Sequence, residues 1–128
     1  MVSQRGPDGF VPGRHLIDAY GNGGFRFAEM SHRGSVLALP SGIHAWPVTA
    51  ISDLTMESLA PVFREAEALE LLLLGTGLDV AAIPERIRQR FRDHRIGLDV
   101  MQTGAAARTY NILLAENRKV GAALIAVA

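Results

Sequence analysis

A chain of 128 residues with thirteen basic and thirteen acidic side chains, 48% hydrophobic residues and no cysteine has the size of one ordinary domain. A globule of that length buries roughly two-thirds of its unfolded-chain surface, and the hydrophobic content excludes disorder. Balanced charge removes the electrostatic footprint of a nucleic-acid binder. The lack of cysteine excludes disulfides, thiolate catalysis and Cys-ligated zinc, and it suits a reducing, cytoplasmic setting.

Taken in chain order, residues 1–13 hold three glycines and two prolines and read as a flexible N-terminal tail, with a single domain over 14–128. Residues 15–20 alternate weakly, and Gly21-Asn22-Gly23-Gly24 is a strong turn signal. Residues 25–30 follow as a strand, Ser31-His32-Arg33-Gly34 as a second turn, and residues 35–39 as another strand. After Pro40-Ser41-Gly42 comes a short strand over 43–48, which Pro47 assigns to an edge.

From about residue 53 the period changes. Leu59, Val62, Phe63 and Ala66 fall at i, i+3, i+4 and i+7, one stripe of a helix, and Ser58 as its cap puts Pro61 in the first turn. Residues 69–74 form a short apolar run stopped by Gly75-Thr76-Gly77, the pattern of a strand buried on both faces. Ile83, Ile87 and Phe91 mark a helix over 84–95. Residues 98–102 read as a strand, Thr103 begins a helix reaching about Glu116, and residues 120–127 close the chain as a final strand. No stretch approaches the roughly 20 apolar residues that span a bilayer. Strand-helix alternation of this kind predicts a layered α/β sheet.

Candidate chemistry is sparse. His15, His32, His44 and His94 lack a ligand spacing, so no metal and no cofactor are expected. No nucleophile elbow or Walker loop is present. The turn at Gly75-Thr76-Gly77 lacks the third glycine of a dinucleotide fingerprint, and Asp79 would repel an anion. In the last helix Ala105, Ala106, Tyr110, Ile112, Leu113 and Leu114 spread over more than half the circumference, which predicts extensive burial. Glu116 falls in that apolar sector and needs a partner, for which Arg118 is nearest.

If the strands ending near residues 74 and 102 are neighbours, Gly75, Thr76, Gly77, Thr103 and Ala106 face one crevice at the carboxyl edge of the sheet, with Arg108 at its rim. Thr109 and Asn111 lie further along the same helix. A small anion is the ligand to try there if the crevice is used. Arg86, Arg88, Arg90, Arg92 and Arg95 crowd the middle helix, either as a solvated face or as a basic docking patch centred on Arg88 and Arg92. Trp46 is either a core plug or an exposed anchor for a partner.

The run Thr103-Gly104-Ala105-Ala106-Ala107-Arg108-Thr109-Tyr110-Asn111 resembles the Mth-type domain family, which includes a mitochondrial assembly factor of NADH:ubiquinone oxidoreductase. Leu72-Leu73-Leu74-Gly75-Thr76-Gly77 and Tyr20-Gly21-Asn22-Gly23-Gly24-Phe25-Arg26-Phe27 extend the resemblance over most of the chain. Asn117 stands where the family usually has glycine, and Ala107 where many relatives have cysteine. The resemblance implies a three-layer α/β domain with a mixed central sheet and an N-terminal β-hairpin extension, and it carries no catalytic residues.

The reading expected from all this is a non-catalytic protein-interaction or assembly factor for a respiratory or membrane-associated complex. Its alternative is a small-molecule or anion binder, or an unrecognised enzyme, using the crevice. A protein partner is expected, nucleic acid and membrane insertion are not, and a homodimer is left open.

Overall fold

The computed structural model describes residues 10–128, so most of the expected tail lies outside the described residues. The end of that tail is corrected. Val11–Pro12 forms β1, with Val11 buried and paired to Ile43. One apolar side chain reaching the core is enough to order this short edge.

Three strands, β2 (Ala19–Gly21), β3 (Gly24–Phe27) and β4 (Met30–Arg33), make a small antiparallel sheet. The strand expected over 25–30 is in fact two, because Ala28 and Glu29 both take positive φ, at 50° and 59°. Two consecutive left-handed residues are the requirement of the tight hairpin turn whose twist matches its strands. Asn and Gly signal such a turn, and alanine followed by glutamate does not.

The main sheet has six strands in the order β1-β6-β5-β9-β7-β8. It contains β5 (Ser35–Leu39), β6 (Gly42–Trp46), β7 (Leu71–Gly75), β8 (Gly97–Met101) and β9 (Val120–Leu124). β7 pairs in parallel with both β8 and β9, and β9 joins antiparallel β5, so the sheet is mixed. Parallel neighbours need crossovers, and helices supply them: α2 (Glu85–Asp93) links β7 to β8, and α3 (Thr103–Ala115) links β8 to β9. The first crossover moves one way across the sheet and the second returns past β7. With the usual right-handed connection, the two helices fall on opposite faces.

Burial confirms three layers. Leu72, Leu74, Leu37, Leu39 and Ala123 face α1 (Ala60–Arg64) and α2, meeting Leu59, Val62, Ile87 and Phe91. Leu73, Val36, Ala38, Ala122 and Leu124 face α3 and the small sheet, meeting Tyr110, Ala106, Phe25 and Phe27. Residues adjacent in sequence thus serve opposite faces, as period two demands. Each large apolar side chain so enclosed contributes about 1.5–3 kcal/mol relative to exposure.

Pro61 lies in the first turn of α1 as expected, but Ser58 is not the cap. Its hydroxyl and amide exchange hydrogen bonds with Thr55 in the preceding turn, and α1 is only five residues long. Trp46 is buried, and its indole N–H donates to the Ser58 carbonyl at 2.8 Å. It is a core residue, and the exposed-anchor reading is wrong.

His44 is packed against the Phe10 ring and lies 3.1 Å from the Ser41 hydroxyl. Desolvation lowers its pKa from 6.5, Glu65 opposes that shift and Arg64 adds to it. The unfolded state therefore takes up the proton first on acidification. The stability His44 contributes is present above its unfolded value and is lost as pH falls through the folded one. Thermal melts at pH 7 and pH 5 should show a smaller loss of Tm for His44→Gln than for the native chain; an equal loss would refute the assignment.

Candidate functional site

α3 carries five of the eight residues expected at the crevice, Thr103, Ala106, Arg108, Thr109 and Asn111, and the structure shows how each is placed. Its buried side chains are Thr103, Ala106, Ala107 and Tyr110, spaced i, i+3, i+4 and i+7. That is a one-sided helix. The expected extensive burial is corrected to burial of one side: Ile112, at about 180° from Thr103 and Tyr110 on the helical wheel, is 60% exposed. Small alanines at 106 and 107 allow close approach to the sheet, and the opposite face is left outside.

The strands ending at Gly75 and Met101 are neighbours, so the two loops of the expected crevice do adjoin. They are tied together. The Thr103 N–H donates to the Gly77 carbonyl at 2.9 Å, and the Gly77 N–H donates to the Thr103 hydroxyl at 2.9 Å. The Thr103 hydroxyl donates in turn to the Ile125 carbonyl at 2.7 Å. Thr76 donates its hydroxyl to the Asp79 carbonyl. Thr103 and Ala106 have no exposure, and Gly75 and Thr76 are buried. A ligand here would have to displace bonds already made, so the open crevice becomes a closed seam. Arg108 is exposed, Thr109 is half-buried, and Asn111 lies about 12 Å along the helix from Thr103.

Asn111 has its own task. Its side-chain oxygen accepts from the Ile17 N–H at 2.8 Å, and its amide donates to the Ile17 carbonyl at 2.8 Å. This two-bond clamp holds the segment leading into β2 against α3. Leu16, next to the clamped residue, is 45% exposed. At the other end of the helix Tyr20, 43% exposed, lies against Gly104, where an added methyl group would collide with the phenol. Two of the sequence motifs therefore meet in space.

Other expectations need correction. Glu116 is exposed and sits at the C-cap of α3, past its last full turn, so it does not need Arg118, which is also exposed. Among the described residues the ion pair formed is Arg92–Glu85, on α2. Arg92 also bonds Gln89, and Arg88 is half-buried. No three His, Asp or Glu side chains gather among the described residues as a metal ligand set would. No helix there is long and apolar enough to cross a membrane.

What the geometry defines is a three-layer α/β domain with a mixed sheet, a sealed seam and an exposed helix face with apolar side chains. The chain belongs to the family described as protein of unknown function (DUF498/DUF598), whose profile matches residues 17–125. An uncharacterised protein of Rhodobacter capsulatus is 38% identical over 85% of this chain and 82% of its own length. The mouse NADH dehydrogenase [ubiquinone] 1 alpha subcomplex assembly factor 3 is 31% identical over 85% of this chain, which spans 59% of that protein.

Among solved structures, a Bartonella henselae protein described as an outer membrane protein is similar with a TM-score of 0.88 and 51% identity, covering 91% of this chain and 98% of that one. A Bordetella pertussis protein described as an Mth938-like domain has a TM-score of 0.76 at 27% identity, covering 88% of this chain and 85% of that one.

Proposed function

We propose that this domain is a protein-interaction module acting in the assembly of a respiratory or membrane-associated complex, and that its protein partner docks on the outward face of α3. One observation carries the reading. Five large hydrophobic side chains are exposed among the described residues: Leu16, Tyr20, Leu78, Val80 and Ile112. Ile112 is on α3, Leu16 and Tyr20 adjoin it, and Leu78 follows the glycine bonded to Thr103. Single exposed apolar residues mean little, but Ile112, with Tyr20 packed on the same helix and Leu16 next to the residue clamped to it, marks a contact surface. Arg108, exposed on the same helix, supplies a rim charge. The printed name of the mouse relative, an assembly factor, supports a respiratory partner.

The test is affinity purification of the tagged chain from its native host after mild detergent extraction. Subunits or assembly proteins of NADH:ubiquinone oxidoreductase should co-purify with the native chain. They should fall about tenfold or more with Ile112→Asp, because a charge there cannot be buried in an apolar contact. Circular dichroism should show that variant folded. Recovery of the chain alone, or undiminished recovery with Ile112→Asp, overturns the proposal. So does a homodimer in light scattering that Ile112→Asp dissociates, since the face would then belong to a second copy.

A further inference from the structure

The Tyr20-to-Phe27 motif contributes Tyr20 to the α3 face, but its arginine is not used there. In the small sheet the register places Ala19, Arg26 and Ser31 in one cross-strand row, and Gly21, Gly24 and Arg33 in the next. Members of the two rows are two residues apart on each strand, so all six share one sheet face. Phe25 and Phe27 occupy the other face and are buried against Val36 and Tyr110. The six-residue face therefore looks away from α3.

It is hollow. A cavity of about 360 Å³ lies over it, lined by both rows together with Asn22 and neighbouring strand residues. Gly21 has open space above it, since a methyl group there would touch nothing within 4 Å. Glycine, alanine and serine form the floor, and the two arginines rise from it. Arg33 is the diagonal neighbour of Arg26, at a separation of roughly 7–8 Å, within the reach of two long side chains toward one oxyanion. Arg26 donates to the Ser31 hydroxyl at 2.8 Å, which holds its guanidinium over the floor. No aspartate or glutamate lines the cavity. Neither arginine belongs to the ion pair found among the described residues.

Two guanidiniums over a small-residue floor, with no acid among the lining residues, are the donors an oxyanion subsite needs. Planar forks of donors suit carboxylate and phosphate oxygens. The hollow is larger than an inorganic ion needs and within the roughly 300–1,000 Å³ range of small-molecule sites. We infer that this basin binds a small organic anion, a phosphate ester or a carboxylate, between Arg26 and Arg33. Tyr20 borders both this basin and the docking face on α3, but Arg26 and Arg33 take no part in the docking and Ile112 takes none in the basin, so either can fail without the other.

Titration of the isotope-labelled full chain, followed by backbone amide shifts, tests it with inorganic phosphate, citrate and adenosine monophosphate as separate probes. Saturable shifts should appear within residues 19–33. The tighter of citrate and adenosine monophosphate identifies whether the oxyanion is carboxylate or phosphate. Arg26→Gln and Arg33→Gln should each weaken that binding about tenfold or more, and Arg88→Gln on α2 should leave it unchanged. Both basin arginines point outward, so their loss should not unfold the sheet, and the amide spectrum reports this directly. Absence of saturable shifts with all three probes, shifts centred elsewhere, or binding by both basin variants as tight as that of the native chain would overturn the assignment.

Discussion

Thr103→Val should lower the unfolding free energy by about 2–4 kcal/mol, although it changes the side-chain volume hardly at all. The threonine hydroxyl has no exposure, donates to the Ile125 carbonyl and accepts from the Gly77 N–H. Valine removes both bonds at once and leaves two backbone groups without partners, each costing about 1–3 kcal/mol when buried. Gly77 keeps some solvent access, which moderates the total. Thr103→Ser retains the hydroxyl and loses one methyl group, so it should cost only about 1 kcal/mol. Urea denaturation reads both, provided the m value stays constant. A valine variant within ~0.5 kcal/mol of the native chain, the size of an ordinary surface change, would mean that these bonds do not hold the seam. The consequence reaches function, because this one side chain ties together the ends of β7, β8 and β9 where α3 begins.

Much of the fold was legible because its strongest signals are local. The leucine run before Gly75 shows burial on both faces, and β7 is the strand flanked on both sides by parallel partners. Ile87 and Phe91 mark the face of α2 that is buried. The errors have physical causes too. Wheel positions could not orient α3, because Ala106 and Ala107 are small enough to serve either side and Ile112 is apolar without being enclosed. Val11–Pro12 is too short to produce an alternating pattern, and only its pairing with β6 makes it a strand.

The small sheet was the least legible part, and the basin was lost with it. Placing the turn at residues 31–34 takes Arg33 off the strand, and then nothing brings it near Arg26. The actual turn at Ala28 and Glu29 folds β4 back on β3 and makes the two arginines diagonal neighbours. A site that depends on cross-strand register is invisible without the turn. Conversely, Thr103 and Asn111 stood out as candidate ligand contacts, and both spend their polar atoms on the protein's own backbone. A polar residue in a conspicuous motif can be there to close a structure.

Tyr110→Ala should be the most damaging single change, at about 3–5 kcal/mol, the usual cost of emptying a large aromatic site. Tyr110 is 1% exposed and among the largest fully buried side chains, set among Phe27, Leu73 and Ala122. Its hydroxyl is a minor contributor by comparison, since the bond to the His15 carbonyl is long at 3.4 Å. Tyr110→Phe should therefore stay within about 1 kcal/mol of the native chain at neutral pH. The two proteins separate under alkaline conditions. Desolvation raises the phenol from 10.0 to about 12, and Arg14 opposes that shift. Between those values the unfolded chain loses the proton first. The stability contributed by the neutral phenol is thus complete below pH 10 and is lost as pH rises through 12, to an extent of roughly 3 kcal/mol. Urea midpoints at pH 9 and pH 11 should fall further for the native chain than for Tyr110→Phe. Equal falls would place the phenol in contact with water, and the packing of α3 against the sheet would have to be redrawn, because no orientation that buries Thr103 and Ala106 leaves Tyr110 outside.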